Sequence, residues 1–385
     1  MNKMLKRALS TVAILSVLAG CASEEDTVIM SPVPQVKSEF TPKSEWSTSV
    51  GSGVSNYFSK LSPAYAYDKV FVASRDGIVK ALNPENGQTL WQQDLEQEVS
   101  ARLSGGITTG YRQVFIGSEN GQVIALNEEN GEVNWRVDVD GEVLTAPATD
   151  SNLVLVHTAK GMLISLDQAT GDLKWSISTE VPTLTLRGNS APITVSGGVF
   201  WGTAGGRLAA AIVERGQLIW QQPIGTPQGS TEIDRMVDVD AKPLVLGSTL
   251  YTVGYNGQLT AIDLRSGKVV WKRKYSSATD LASDGGRLYL VTDKDDLISV
   301  DARSGTELWS NDQLEHRLLT APVIIDGYLV VGDSEGYLHW LDRESGEFVA
   351  QQHVSSSGFA VEPIRVPGGY VTVTRNGDVN KLTLN

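Results

Sequence analysis

The chain has 385 residues, and 45 acidic against 32 basic side chains give it a net charge of −13. Phosphate recognition needs clustered Lys and Arg, so this balance argues against a nucleic-acid partner and favours solubility. A single cysteine, Cys21, excludes an intrachain disulfide, and the fold must hold by burial and backbone pairing alone.

Residues 1–20 place Lys3, Lys6 and Arg7 ahead of the apolar run "ALSTVAILSVL", which leads to "LAGC" ending at Cys21. The run is too short to cross a bilayer as a helix and has the layout of a secretory signal. "LAGC" resembles the lipobox of bacterial lipoproteins, which implies cleavage before Cys21 and a diacylglycerol on its thiol. Ala22 is not the Asp that retains such lipoproteins in the inner membrane, so the resemblance implies the periplasmic face of the outer membrane. Residues 21–43 are polar, carry Pro32, Pro34 and Pro42, and show no sustained hydrophobic period. They predict a flexible tether, about 70–80 Å long when fully extended.

From residue 44 one unit recurs: a hydrophobic run, a two-residue turn, a second run, an Asx-x-x-x-Gly turn and a strand containing Trp. "ALNPENGQTLW" (81–91), "ALNEENGEVNW" (125–135), "SLDQATGDLKW" (165–175), "AIDLRSGKVVW" (261–271) and "SVDARSGTELW" (299–309) show it most plainly. The first turn falls at Asp76-Gly77, Asn120-Gly121, Lys160-Gly161, Gly205-Gly206, Asn256-Gly257, Asp295-Asp296, Glu335-Gly336 and Asn376-Gly377. Most of these dipeptides tolerate the positive φ that tight hairpins require, so eight hairpins are predicted. In the second turn Asn83, Asn127, Asp167, Asp263, Asp301 or Asp342 precedes a Gly by four residues, which suits an Asx side chain accepting backbone N–H groups. An Asp or Asn recurring at equivalent turns serves the turn rather than catalysis or calcium binding.

Runs such as "KVFVAS" and "YLVVGD" are apolar for longer than alternation would give, which fits sheets covered on both faces. The prediction is an all-β protein, an eight-bladed β-propeller of four-stranded antiparallel blades over 44–385. Trp46, Trp91, Trp135, Trp175, Trp220, Trp271 and Trp309 occupy the Trp position, and Ala350 is the one gap. Each ring is large enough to bridge neighbouring blades while its N–H finds a backbone acceptor. The C-terminal "YVTVTRNGDVNKLTLN" has a hairpin but no Trp strand, whereas "SEWSTSV" (44–50) is a Trp strand without a hairpin. The N-terminal strand should therefore complete the last blade and close the ring.

The longest interval between successive tryptophans, 51 residues from Trp220 to Trp271, falls in "IGTPQGSTEIDRMVDVDAK". Together with "LTLRGNSAP" (184–192) it forms two neighbouring connections from outer to inner strands, on one rim of the ring. Leu184 and Leu186 could present apolar side chains there, with Arg187, Asp238 and Asp240 supplying polar contacts. The same residues also fit leucines folded back onto a blade and solvated loop carboxylates.

Other chemistry finds little footing. His157, His316, His339 and His353 lack metal-ligand spacing, and neither a Gly-x-Ser-x-Gly elbow nor a Walker loop occurs. "DKDD" (293–296) lacks the spacing and glycine of a calcium loop. No catalytic residue, metal or cofactor is assigned.

The repeated A-x-D-x-x-x-G-x-x-x-W pattern resembles the tryptophan-docking motif of quinoprotein (PQQ) dehydrogenases, which are eight-bladed propellers. Across the whole chain, with the "LAGC" box, the closing strand, "LTLRGNSAP" and "DRMVDVDAKP" (234–243), the resemblance is closer to the BamB family. These are lipoproteins of the outer-membrane β-barrel assembly machinery. The resemblance implies a non-enzymatic scaffold whose loops at Leu184, Leu186, Arg187, Asp238 and Asp240 contact the periplasmic POTRA domains of BamA. Unfolded outer-membrane precursors are a second partner it raises. Quinoprotein enzymes usually carry lid insertions and often adjacent cysteines, for which blades of about 40 residues and a committed Cys21 leave little material. A PQQ enzyme and a general periplasmic binding adaptor are the alternatives.

Overall fold

The computed structural model describes residues 28–96 and 100–384, so the segment expected to be a signal and Cys21 lie outside the described residues. Among the described residues, 32 strands form eight four-stranded antiparallel sheets. Seven are consecutive in sequence, at 64–94, 108–138, 148–178, 193–223, 244–273, 282–311 and 323–353. The eighth joins three C-terminal strands to Lys43–Ser49, which pairs antiparallel with Asp378–Thr383, Trp46 standing opposite Lys381. The predicted propeller and its N-terminal closure are both observed.

Burial explains why the inner runs do not alternate. Leu153–His157 and Gln113–Gly117 are buried at every position, whereas outer strands such as Thr89–Asp94 bury little beyond the tryptophan. Eight apolar clusters result, one between each pair of neighbouring blades. The core is thus a ring of interfaces, and each blade depends on both neighbours.

The repeat letters supply the joints of that ring. The Asn83 side chain accepts from the amides of Glu85 and Asn86, and Asp301 accepts from that of Ser304. The closing Gly has positive φ, +78° at Gly131. The tryptophan of the preceding blade lies directly over it: a Cβ at Gly131 would sit 2.5 Å from Trp91 Cε3. The indole N–H then donates to a carbonyl of the same turn, Trp91 to Glu128 at 2.9 Å and Trp46 to Pro84 at 3.1 Å. In the hairpins the positive φ falls mostly on glycine, but in the fifth and sixth units Asn256 and Asp295 adopt it.

This arrangement accounts for Ala350. A ring there would dock on the turn joining the third and fourth strands of the eighth blade, yet its fourth strand is the N-terminal Lys43–Ser49, so no such turn joins them. The indole stands instead on the facing strand: Trp340 pairs with Ala350 where the first six blades pair Ala or Ser with Trp. Trp340 is fully buried, edge-on to Tyr370 and to Phe40.

Phe40 corrects the expectation of a tether that is free throughout 21–43. Ser31 donates its amide to the Glu315 carbonyl, and its own carbonyl accepts from the buried Arg317 guanidinium at 2.8 Å. Glu39 donates to the Val349 carbonyl, and Phe40 lies 5.0 Å from the Tyr328 ring. The seventh blade, lacking an outer tryptophan, offers apolar surface that this segment covers.

Candidate functional site

The connections between blades all leave an outer strand and enter the next inner strand, which places them on one rim. Residues 179–192 follow the third blade and 224–243 the fourth. The two loops are fastened together: Ser190 Oγ donates to the Ala241 carbonyl at 3.0 Å, and Gly188 packs so closely that a Cβ would lie 2.4 Å from Asp240 Oδ2. Asn189 Nδ2 donates to the Thr158 carbonyl, and His157 Nδ1 faces the Ser190 carbonyl at 3.0 Å. Burial holds the His157 pKa down at about 4, so the ring is neutral and donates from Nδ1.

Leu184 is exposed, at 41 %, beside the exposed Val181, while Leu186 is half-buried. Arg187 lies on the surface, with Nη1 3.1 Å from Glu142 Oε2 and Nη2 3.6 Å from Glu119. Glu119 in turn holds Arg75 through two bonds of 3.0 and 2.8 Å, and Arg75 lies 3.7 Å over the exposed Tyr57 ring. Three connections and two hairpins thus contribute to one charged ridge running from Leu184 to Tyr57.

Asp238 and Asp240 do not belong to that exposed face. They are 1 % and 5 % exposed, contrary to both expectations, surface contacts and solvated loop charges. Burial pushes the Asp238 carboxyl up to about 6, against a stabilising backbone contact from Leu186, and its Oδ2 has no hydrogen-bond partner. Burial likewise raises Asp240 to about 7; the Lys60 ammonium opposes the shift, and Asp238 and Asp280 add to it. The physical reason is geometric. "VDVDA" re-enters the inner strand, so its backbone dives beneath 184–190 and carries both carboxyls into the seam between the loops.

The exposed part of the fourth connection is 226–235, with Ile233 63 % exposed. A cleft of about 880 Å³ lies against it, lined by Ile233, Tyr255, Lys272 and Lys274 among others. Sequence reasoning missed Glu142 and Glu119, the partners of Arg187, because they lie in other blades. Among the described residues no group of three or more His, Cys, Asp or Glu is arranged to hold a metal ion.

The family model described as outer membrane protein assembly factor BamB matches residues 12–101, 75–311 and 294–383. The chain is 68 % identical over 384 residues to the outer membrane protein assembly factor BamB of Vibrio cholerae, covering 100 % of both chains. It is similar to the crystal structure of BamB from Moraxella catarrhalis, with a TM-score of 0.81, 26 % identity, and coverage of 89 % of this chain and 100 % of that one. Quinohemoprotein alcohol dehydrogenase from Comamonas testosteroni shares the fold alone, at a TM-score of 0.70, 12 % identity, and coverage of 89 % of this chain and 76 % of that one. This chain belongs to the BamB family of outer membrane protein assembly factors.

Proposed function

We propose that the ring is a non-enzymatic scaffold, anchored by lipid on Cys21 to the periplasmic face of the outer membrane, that docks on the POTRA domains of BamA. Docking uses the paired loops after the third and fourth blades and assists the folding and insertion of β-barrel precursors. The observation that carries this reading is that the two loops are fastened to one another and present Leu184 and Arg187 together on a rigid rim. Leu184 supplies a dry contact and Arg187 a directional one. Leu186 bridges surface and seam, and Asp238 and Asp240 hold the loops from beneath. Precursor strands contacting the propeller directly are a further part of the reading that the docking test leaves separate.

The test is co-purification of BamA from solubilised outer membranes with Leu184→Ala/Arg187→Glu. Loss of about 3 kcal/mol, or more than 100-fold in affinity, is expected for removing two central contacts with retained melting. Undiminished recovery of BamA would overturn the assignment of these loops.

A further inference from the structure

The segment 50–63 runs from the ring-closing strand to the inner strand of the first blade, and it is fastened at both ends. Val54 and Ser55 donate their amides to the Arg375 carbonyl in the eighth blade. Lys60 donates its amide to the Ser104 carbonyl, and Ile107 donates to that of Ser62, on the entry to the second blade. From this pinned backbone the Lys60 side chain reaches to the far side of the mouth of the ring. Its Nζ lies 3.0 Å from the Asp240 carbonyl and 3.5 Å from that of Asn189, the entries to the fifth and fourth blades. One ammonium therefore touches the backbone of both loops assigned to docking, from residues 129 and 180 positions away in sequence.

The charges around it give the contact a second reason. Asp240 and Glu362 both feel the Lys60 charge, while Asp238 and Asp280 add negative potential at Asp240 and Lys242 adds positive potential at Glu362. Ammonium in the seam offers three donors and a compensating charge where carbonyls and carboxyls converge. An apolar side chain would leave those oxygens facing one another.

We infer that Lys60 is a positioning residue for the docking rim: carried across the mouth on the ring-closing segment, it clasps the backbones of 184–192 and 234–243 and fixes their mutual geometry. The inference rests on the docking reading only for its consequence in binding; the clasp itself is a property of the isolated chain. It ties ring closure to the site, since the residue that orders both loops hangs from the segment that follows the closing strand.

Hydrogen exchange of the full mature protein without partner, comparing wild type with Lys60→Met and Lys60→Arg, tests the clasp. Amides in 186–191 and 238–242 are expected to exchange about ten-fold or more faster in Lys60→Met, with those of Gln113–Gly117 unchanged. Lys60→Arg keeps charge and donors but not the compact head, and should give a smaller acceleration in the same amides. Unchanged exchange in both variants overturns the inference. Should Lys60→Met accelerate every blade equally, Lys60→Arg decides alone: local acceleration supports the clasp and none refutes it. Binding to BamA is measured in parallel. A wild type that does not bind while the exchange difference persists would sink the docking reading and leave the clasp intact.

Discussion

Alanine at Gly131 tests whether the tryptophans hold the ring together. Gly131 and Gly197 share the same φ of +78°, but a Cβ at Gly131 would stand 2.5 Å from Trp91 Cε3 whereas one at Gly197 meets nothing within 4 Å. Both substitutions place an L residue in the left-handed region, at about 1–2 kcal/mol. Only Gly131→Ala also displaces an indole, which adds about 1–3 kcal/mol of overpacking and the weakening of the 2.9 Å bond from Trp91 to Glu128. The expected losses are thus about 1–2 kcal/mol for Gly197→Ala and about 2–5 kcal/mol for Gly131→Ala. Urea unfolding followed by tryptophan fluorescence and far-ultraviolet dichroism reads both, with slopes compared to confirm that the transition keeps its cooperativity. Equal losses in the two variants would refute the joint, because they would show that the indole yields at no cost.

Deleting Lys43–Ser49 removes the outer strand of the eighth blade and Trp46 from the joint with the first. Scanning calorimetry should show the melting temperature fall by roughly 10 °C or more, and unchanged melting would refute closure by this strand. Phe40→Ala should leave ring melting nearly unchanged while exposing residues 28–42 to protease, since Phe40 fills the space over Trp340; equal resistance to cleavage would count against that docking. Stability should also fall as pH rises. A carboxyl whose folded pKa lies above its unfolded value keeps its proton longer in the native state, so the native form is favoured below about pH 4 and loses that advantage as pH climbs through the folded pKa. For Asp240, raised from 3.8 to about 7, the loss is at most ~4 kcal/mol by pH 8, and Asp238 adds a smaller share. Asp238→Asn/Asp240→Asn should flatten the profile of melting temperature between pH 4 and 8; a profile identical to wild type would refute the burial of both charges.

The repeat was legible because each letter has one local duty. The Asx residue bonds its own turn, the Gly takes a φ that other residues avoid, and the Trp needs a fixed distance to reach the next turn. Even the gap at Ala350 follows from chain order, since the last blade borrows its outer strand from the N terminus. The candidate site was legible only in outline. Leu184 and Arg187 stand on the surface as expected of a rim loop, but Asp238 and Asp240 occur in a segment whose letters read as polar and exposed.

Sequence by itself therefore determined the number of blades, the closure of the ring and the rim on which the long connections stand, because the period counts the hairpins and the two incomplete units, a Trp strand at one end and a hairpin at the other, complete each other. Tertiary structure alone decided which carboxyls lie in the seam, that Glu142 and Glu119 face Arg187, that Lys60 spans the mouth, and that Phe40 packs over Trp340. Those contacts join residues tens to hundreds of positions apart, and no local period constrains them. They arise only when the curvature of the stacked sheets brings distant connections to one rim.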